Sequence, residues 1–369
     1  MNSRAERAPG SAAPDQIILW VATALLGFGA VMVFSASSHL AAEYYNRPLL
    51  FFIKQSVFFF VGMAVLIGVS RIPYTFWQRT YRIWLLLGAV LLVAVLFSAE
   101  VRGARRWLSI GPFGLQPAEV FRFGVILFLA TLLSRRRRQE PTFKKHTLPH
   151  LALLGFGGVL LMLQPDFGSL VLLAATVFSM LYVAGTPIRH LALTTIPAVS
   201  LAALVVFGFG YQRHRLDNYL DGLRDPFEAG YQVKQALIFM GDGGLFGKGL
   251  GGGNAKFLHV PDAHTDFILA CIGEELGFIV LVIMLSAYAL LLLRGLRIAS
   301  RAPDRFSSLL VAGLIISLGL QAALNISVVL GLVPPTGLPL PLLSYGGTSV
   351  LFTTTALAIV LNVSRHVRA

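Results

Sequence analysis

Residues 266–293 read DFILACIGEELGFIVLVIMLSAYALLLL, a long run of mainly apolar side chains. A helix needs about 20 such residues to cross the roughly 30 Å of hydrocarbon in a bilayer. Nine further runs of this kind predict an all-α polytopic membrane protein with about ten transmembrane helices. The ten runs are 16–37, 50–70, 80–98, 117–134, 149–165, 168–185, 188–210, 266–293, 305–332 and 346–364.

The division between the fifth and sixth runs is the one that the sequence leaves open. Only Gln164, Pro165, Asp166 and Phe167 interrupt the apolar character there. A break containing Pro and Asp is typical of a turn. A tight hairpin between two helices and a single interrupted helix both fit this pattern.

The composition indicates the same class of protein. Of the 369 residues, 56% are hydrophobic and 13% are charged, which is too little polar surface for a soluble globule of this size. The net charge of +13 would suggest nucleic-acid binding in a soluble domain, but the basic residues lie between apolar runs, where they orient helices. We therefore expect no nucleic-acid partner. The single cysteine, Cys271, excludes an intramolecular disulfide.

The distribution of Lys and Arg predicts the orientation. These residues are more numerous in the loops on the side shared by both termini, above all at Arg135–Arg138 with Lys144 and Lys145. Such loops resist translocation, so both termini are expected in the cytoplasm. The predicted parts are a disordered cytoplasmic tail at 1–15, a single transmembrane domain at 16–364 with an extracytoplasmic loop at 211–265, and a cytoplasmic tail at 365–369.

Charged residues that collect at the opposite, outer side are candidates for chemistry. The segment GARRWLSIGPFGLQPAEVFRF, residues 103–123, places Arg105, Arg106 and Trp107 at the outer interface. Glu119 and Arg122 then lie at i and i+3 on one helix face within the membrane. An unpaired charge at that depth is costly, which favours an inward-facing pair. A purely structural ion pair between helices is the alternative.

Two further outer segments carry charge. LQPDFG, residues 163–168, leaves Asp166 at the end of a helix pair, where it either faces a site or only caps the next helix. The long outer segment contains Arg213 and the stretch GDGGLFGKGLGGGNAKF at 241–257. Its glycines allow close approach to an anion, with Lys248 supplying positive charge. The spacing does not match a Walker loop, and a generic flexible loop is the alternative.

The next two segments surround the strongest candidate acid. HVPDAHTDFILACIGEELGF, residues 259–278, places Asp266 at the start of the eighth run, beside His264. A favourable helix-dipole partner is the alternative role for this carboxylate. VPPTGLPLPLLSYGGTSVL, residues 333–351, includes Ser344 and is too rich in Pro and Gly for a regular helix. Irregular backbone at this depth is tolerated where it lines a cavity, so we interpret it as a wall of the site.

These segments, in this order, resemble the RodA/FtsW family of shape, elongation, division and sporulation (SEDS) proteins, and the resemblance covers nearly the whole chain. The most specific motifs are GARRWLSIGPFGLQPAE, QPDFGS, GGLFGKGLGGG, PDAHTDFILACIGEELGF and PPTGLPLPLLSYGGTS. The match looks closer to the RodA elongation branch. It implies a peptidoglycan glycosyltransferase that polymerises lipid II on the outer face of the cytoplasmic membrane during elongation and rod-shape maintenance.

The resemblance also implies roles for individual residues. Asp266 matches the essential acid of the family's H-T-D-F motif, Glu119 matches a motif glutamate, and Arg122 stands where a basic residue is usual. Arg106 and Lys248 match the arginine before Trp and the lysine of G-K-G. Asp262 departs from the family, which often has Glu there, so we assign it no catalytic role.

The implied partners are lipid II and the nascent glycan chain, a class B penicillin-binding protein, and membrane proteins of the elongation complex. No cofactor is certain, although a divalent metal ion such as Mg or Mn is possible beside a diphosphate. As a hypothesis, Asp266 acts as the base, and Arg105, Arg106, Arg213 and Lys248 bind the diphosphate leaving group. Trp107, Asp166, His264 and Ser344 are further cavity candidates. A lipid II flippase is the main alternative, followed by a noncatalytic scaffold.

Overall fold

Helices dominate the structure, which is a computed structural model. It describes residues 13–100, 104–111, 113–135, 148–193, 231–255 and 264–367. We number the helices of this part in chain order. They are α1 (Gln16–Tyr45), α2 (Leu50–Val69), α3 (Tyr74–Ala94), α4 (Pro117–Ser134), α5 (Leu148–Leu163), α6 (Phe167–Val183), α7 (Tyr231–Asp242), α8 (Ile268–Ser300), α9 (Arg305–Val329) and α10 (Gly347–Ser364).

Seven of these helices, α1 to α4 and α8 to α10, are long and apolar enough to cross a membrane. Two shorter apolar helices, α5 and α6, correspond to the fifth and sixth runs. The seventh run begins with a helical stretch at 188–193, and its remainder lies outside the described residues. The all-α polytopic class is confirmed, and the count of ten spans stays a prediction.

The open division at Asp166 is a hairpin between two separate helices, α5 and α6, which pack against each other. Asp166 is the N-cap of α6, and its side chain accepts a hydrogen bond from the backbone N–H of Ser169. Of the two arrangements that the sequence allowed, the structure therefore contains the hairpin.

Three helices extend well beyond the predicted runs, and one of them is α8, which continues to Ser300 instead of ending at residue 293. α1 continues to Tyr45 and ends where Asn46 adopts a left-handed conformation, with its N–H directed at the carbonyls of Ala41 and Ala42. α3 begins at Tyr74 after Pro73, not at residue 80. Hydropathy detects only the part of a helix within the hydrocarbon, whereas caps and prolines set its ends.

A short antiparallel hairpin is an addition to the predicted helical architecture. Its strands, β1 (Leu108–Ile110) and β2 (Phe113–Leu115), pair Ser109 with Gly114. The side chain of Thr348 at the start of α10 donates a hydrogen bond to the carbonyl of Gly114 over 2.8 Å. The hairpin thereby fixes the segment that precedes α4.

The core consists of two apolar clusters. One is built mainly from α1, α2, α8, α9 and α10, and the other from α3, α4, α5 and α6 together with α9 and α10. Close backbone approach supports the second cluster, because a Cβ on Gly124 of α4 would lie 2.8 Å from backbone atoms of Leu85 in α3. Since α9 and α10 contribute to both clusters, they join the two halves of the bundle.

α8 is not a continuous helix. Gly277 has φ 78° and ψ −178°, a conformation that glycine adopts readily. The glycine-rich segment 243–255 packs against this break, with the N–H of Lys248 donating to the carbonyl of Glu274 and the N–H of Phe278 donating to the carbonyl of Gly244. Backbone groups of α8 around this break therefore form hydrogen bonds with residues outside the helix.

The two ends of the bundle are distinct. At one end, the N–H of Asp15 donates to the hydroxyl of Ser364 over 3.0 Å, which brings the beginning of α1 beside the end of α10. The final turns of α8 and its C-cap residue, Arg301, line the same region. Asp266 precedes α8 and therefore lies at the opposite end, away from the described termini.

Candidate active site

Gly337 lies between the two strongest candidate residues. A Cβ placed on this glycine would be 3.1 Å from Nη1 of Arg106 and 3.8 Å from Oδ2 of Asp266. Its φ of +74° also favours glycine. A carboxylate and a guanidinium from distant parts of the chain thus face the same small volume.

Arg106 is held by the turn between α5 and α6. Its Nη2 donates a hydrogen bond to the carbonyl of Pro165, and its Nη1 lies 3.8 Å from Oδ1 of Asp166. Within the described part of the chain, its buried Nε has no hydrogen-bond partner. Arg106 is therefore oriented by contacts on one side and retains a donor for a further group.

Asp166 combines two functions that the sequence presented as alternatives. It caps α6, accepting hydrogen bonds from the N–H of Ser169 over 3.2 Å and from its hydroxyl over 2.8 Å. It also faces Arg106, and it accepts a 3.5 Å contact from the amide of Gln116, the residue before α4. This carboxylate is 1% exposed, so its negative charge helps to hold the arginine in place.

Asp266 is fixed through its backbone. The side-chain amide of Asn325 on α9 donates to the carbonyl oxygens of both Asp266 and Leu338, each over 2.8 Å. The hydroxyl of Ser344 donates to the carbonyl of Thr265. The residues before α8 are thereby tied to the Pro-rich segment 333–346, which was predicted to form a wall of the site.

The same segment connects the site with Glu119 and Arg122. Nη2 of Arg122 donates to Oε1 of Gln321 over 2.8 Å, and Nε2 of Gln321 donates to the carbonyl of Pro339 over 3.0 Å. The expected direct ion pair between Glu119 and Arg122 is absent from the salt bridges of the described residues. An amide on α9 provides the partner for this arginine instead, and Glu119 is buried nearby in α4.

The other predicted residues divide into those near this region and those elsewhere. The ring of Trp107 packs on Gly114, where a Cβ would lie 3.1 Å from it. The ring of His264 is buried against Phe51, with centroids 4.9 Å apart. Arg105 is exposed and donates to the carbonyl of Leu96. Arg213 lies outside the described residues.

Lys248 is paired with acids of the glycine-rich segment and of α8. Its Nζ donates to Oδ2 of Asp242 and, over 3.0 Å, to Oε1 of Glu274. Hydrogen bonding to Asp242 and then to Glu274 raises the pKa of Lys248 above its usual value. The lysine consequently remains protonated throughout the physiological range, and its described contacts lie around the break in α8.

Glu274 and Glu275, in the first part of α8, are both buried. Glu274 accepts hydrogen bonds from the backbone N–H groups of Asn254 and Ala255, over 2.8 and 2.9 Å. Glu275 accepts from the hydroxyl of Ser35 on α1. The two carboxylates thus bind the glycine-rich segment and α1 to the first part of α8.

Sequence reasoning missed Gly337, Gln321 and Asn325 as parts of the site. The motif around Gly337 was recognised, but its position between two charged side chains depends on tertiary structure. Gln321 and Asn325 did leave a signal, since they are amides within an apolar run, and polar groups in transmembrane helices usually form hydrogen bonds across helices.

No group of three or more His, Cys, Asp or Glu side chains that could hold a metal ion occurs among the residues that the structure describes. Asp166 lies 3.8 Å from Nη1 of Arg106, and Asp266 shares with that arginine the small volume at Gly337, so a cation of the chain already accompanies these two acids. The described residues alone therefore do not form a metal site from protein side chains.

The fold and the site together define a polytopic membrane protein with an acid and an arginine facing each other at one end of its helical bundle. The chain belongs to the family of FtsW, RodA and SpoVE cell cycle proteins, whose model matches residues 16–369.

Relatives and solved structures agree with this membership. The chain is 37% identical to the probable peptidoglycan glycosyltransferase FtsW of Geobacter metallireducens, over 96% of this chain and 95% of the relative. It is 36% identical to the stage V sporulation protein E of Bacillus subtilis, over 96% and 98%.

Among solved structures, the rod shape determining protein RodA of Thermus thermophilus is 29% identical, with a TM-score of 0.71 and coverage of 97% of this chain and 98% of that one. A chain from a structure described as the structural coordination of polymerization and crosslinking by a peptidoglycan synthase complex is 30% identical, with a TM-score of 0.77 and coverage of 96% and 98%.

Proposed function

We propose that this protein is a peptidoglycan glycosyltransferase that polymerises lipid II on the outer face of the cytoplasmic membrane. The observation that carries the proposal is the meeting of Asp266 and Arg106 around Gly337. A base and a cation at adjacent positions suit a reaction that removes a proton from one substrate and releases a negatively charged group from another. The names of the FtsW relatives support this reaction class.

In the proposed reaction, Asp266 accepts the proton of the 4-hydroxyl on the GlcNAc of the acceptor lipid II. The resulting oxygen attacks C1 of the terminal MurNAc of the donor chain and forms a β-1,4 bond with inversion at C1. The bond from C1 to the diphosphate oxygen breaks, and undecaprenyl diphosphate leaves. The hydrogen bonds from Asn325 and Ser344 to the backbone around Asp266 support this role, because a base must be held in a fixed position.

Arg106 is the proposed principal cation for the diphosphate. It is largely buried and oriented by Asp166 and Pro165, so it stabilises developing negative charge with little rearrangement. Arg122 supports the site through Gln321 and the carbonyl of Pro339, and Glu119, buried on the same helix, is proposed to support the site as well. Arg105 and Arg213 are proposed to bind the diphosphate more peripherally.

Lys248 was predicted as a diphosphate ligand, and this role remains a proposal. Its pairing with Glu274 and Asp242 supports a positioning role as well. The two roles differ in their readouts. A ligand role predicts that Lys248→Ala raises the KM for lipid II at an unchanged unfolding temperature, whereas a positioning role predicts a lower unfolding temperature together with a lower kcat.

The test of the reaction is polymerisation of purified lipid II by the purified protein together with its partner transpeptidase. Asp266→Asn keeps the size of the side chain and removes the base, so glycan product should fall by at least about a hundredfold. Asp304→Asn is the matched control, because Asp304 caps α9 through Ser307 at the opposite end of the bundle. Full activity of Asp266→Asn and Asp266→Ala would contradict the assignment of the base.

The flippase alternative requires charged groups through the full depth of the bundle. The site residues Asp166, Asp266 and Arg106 instead lie together at one end of the bundle. Glu274 and Glu275 accept hydrogen bonds from the glycine-rich segment. This concentration favours the polymerase. Absence of glycan product under every condition, combined with lipid II movement across proteoliposomes, would favour transport.

The cellular role that we propose is cell elongation and rod-shape maintenance, with a class B penicillin-binding protein and membrane proteins of the elongation complex as partners. The peptidoglycan synthase complex among the similar structures supports a synthase partner. The relatives named FtsW favour division as a second candidate role. Complementation separates the two: restored rod shape after loss of the elongation enzyme supports our proposal, and restored septation after loss of the division enzyme supports the alternative.

A further inference from the structure

A polar cavity lies at the end of the bundle opposite Asp266, where the beginning of α1, the end of α8 and the end of α10 meet. Its volume is about 300 Å³, at the lower limit of the roughly 300–1,000 Å³ that is usual for small-molecule sites. Its charged and polar lining comes from Asp15, Arg294, Arg297, Arg301 and Ser364.

Arg294 and Arg297 lie in the last turns of α8, and Arg301 is the C-cap residue that follows it. Their spacing of three and four residues brings them into line along the helix. Within the part of the chain that the structure describes, none of them takes part in an ion pair. Asp15 is the one acid in the lining, and its Oδ1 accepts the N–H of Ile18 as the cap of α1. The cavity therefore has an excess of positive charge that its own acid does not neutralise.

Arginine near a helix C-terminus is common, because it interacts favourably with the last carbonyl groups. That explanation accounts for Arg297 and Arg301 as surface residues, but not for three guanidinium groups around one concave volume. Arginine is the side chain best suited to phosphate, since its planar group donates two parallel hydrogen bonds. The lining thus fits a compact phosphate-bearing anion.

The surroundings of the cavity indicate an amphiphile. Next to the cap of α1, Trp20 is 66% exposed, and beside the arginines on α8, Leu293 is 66% and Leu296 is 42% exposed. α1 and α8 pack against each other. A ligand with its phosphate in the cavity would therefore find apolar surface for acyl chains on the adjoining helices, as aromatic and aliphatic side chains at a membrane interface usually provide.

We propose that this cavity binds the phosphate headgroup of an anionic membrane lipid, with phosphatidylglycerol as the representative chemistry. Such a lipid would join the end of α8 to the ends of α1 and α10. With the termini in the cytoplasm, as proposed above, the lipid belongs to the inner leaflet, where anionic headgroups attract basic clusters. The site is independent of the reaction at Asp266.

The test uses the full-length protein in a neutral detergent, which removes the general attraction of a charged bilayer. Dihexanoylphosphatidylglycerol, dihexanoylphosphatidylcholine and inorganic phosphate are titrated separately, and the thermal unfolding midpoint is followed, because a ligand that binds only the folded state raises it. Arg297→Gln/Arg301→Gln alters two exposed residues of the cavity. Arg71→Gln/Arg79→Gln is the matched control, with two exposed arginines at the same end of the bundle but outside the cavity.

Saturable stabilisation by phosphatidylglycerol and none by phosphatidylcholine is the expected result for the wild type. The apparent Kd should rise by at least about tenfold in the cavity variant and stay within about twofold in the control. Equal weakening in both double variants, or in neither, would overturn the proposal. Equal stabilisation by inorganic phosphate at the same concentrations would overturn the lipid as the source of the phosphate.

Discussion

Gly337 shows how a single residue without a side chain can determine the geometry of a charged site. The guanidinium of Arg106 and the carboxylate of Asp266 approach it from two sides. Any side chain at this position would separate the two groups or displace one of them. The residue is therefore needed for its small size as well as for its positive φ.

We predict that Gly337→Ala reduces lipid II polymerisation by at least about tenfold. The left-handed conformation costs an L-residue about 1–2 kcal/mol, and the new methyl group would also press on Arg106. Gly331→Ala is the control, since Gly331 has nearly the same φ, +71° against +74°, but its Cβ would contact Val233. In parallel melting and turnover assays, we expect both variants to lose a similar amount of stability. Only Gly337→Ala should lose activity.

Asn325 is the second residue whose role comes from tertiary contacts. Asn325→Ala removes both hydrogen bonds to the carbonyls of Asp266 and Leu338, and each buried acceptor left unsatisfied costs about 1–3 kcal/mol. We expect kcat to fall while the KM for lipid II changes little, because the base loses its position and the substrate keeps its ligands.

Asn362→Ala provides the comparison for Asn325, since Asn362 is also a buried amide with two bonds, to the carbonyl of Ser70 and from the N–H of Tyr74. Both variants should melt at lower temperature. An equal fall in kcat per folded molecule in the two variants would assign Asn325 a purely structural role.

At the scale of residues, the sequence predicted Asp266 and Arg106 as site residues, but it did not predict the hydrogen bonds that position them. Asp266 lies just before α8 and Arg106 just before β1, between apolar runs where charge is conspicuous in the sequence. Asn325 and Ser344 act on backbone carbonyls of residues far away in the chain. Hydrogen bonds to carbonyl oxygens place no restriction on the identity of the accepting residue, so they leave no pattern to detect.

At the scale of elements, the glycine-rich segment illustrates a pattern with more than one physical meaning. Its glycines were interpreted as freeing the backbone for an anion. In the structure, Gly243, Gly247 and Gly253 allow the segment to pack directly on α8, where a Cβ would meet atoms of residues 273–276. The segment forms a clamp on the break at Gly277, which is eleven residues after Asp266 in the sequence.

Two glycines of this segment separate backbone strain from packing. Gly247 and Gly249 both have positive φ, +78° and +90°, but a Cβ on Gly247 would collide with the carbonyl of Glu275, whereas Gly249 has no other atoms within 4 Å of that position. Each alanine costs about 1–2 kcal/mol through φ. Gly247→Ala should cost a further 1–3 kcal/mol, roughly, through overpacking.

Thermal unfolding of the two alanine variants in detergent measures this difference. Gly247→Ala should melt distinctly below Gly249→Ala and should also polymerise lipid II more slowly, because the clamp holds the part of α8 next to Asp266. Identical melting temperatures would show that the segment does not depend on its close packing against the helix.

The helices themselves were largely predictable, and their interruptions were not. Runs of apolar residues located α1 to α6 and α8 to α10, because burial in hydrocarbon acts on composition. The break at Gly277 lies within such a run and does not change its hydropathy. Its position follows from hydrogen bonds donated by residues 248 and 249 to the carbonyls of Glu274 and Glu275, which depend on how a distant loop packs.

At the scale of the whole molecule, α8 connects two charged regions that have different proposed functions and lie at opposite ends of the bundle. Its first residues follow Asp266, its last turns carry Arg294 and Arg297, and Arg301 caps its end. The proposed reaction and the proposed lipid site therefore lie at opposite ends of one broken helix. The two proposals require opposite sides of the membrane. The proposed polymerisation takes place on the outer face, and the proposed lipid headgroup belongs to the inner leaflet.

The orientation can be tested with engineered cysteines, because the one native cysteine, Cys271, is 2% exposed. Glu43 is exposed in the last turn of α1, and Ser300 is exposed at the last residue of α8. We predict that a membrane-impermeant maleimide labels Glu43→Cys in intact cells, and labels Ser300→Cys only after permeabilisation. The unmodified protein, with Cys271 buried, should remain unlabelled throughout.

The reverse labelling pattern would contradict more than the topology. It would place Asp266 and Arg106 on the cytoplasmic side, where lipid II awaits export and no glycan strand is available to act as donor. The polymerase would then be excluded at this site however well its residues suit the reaction. The labelling experiment therefore tests the positive-charge argument from the sequence and the proposed function in a single measurement.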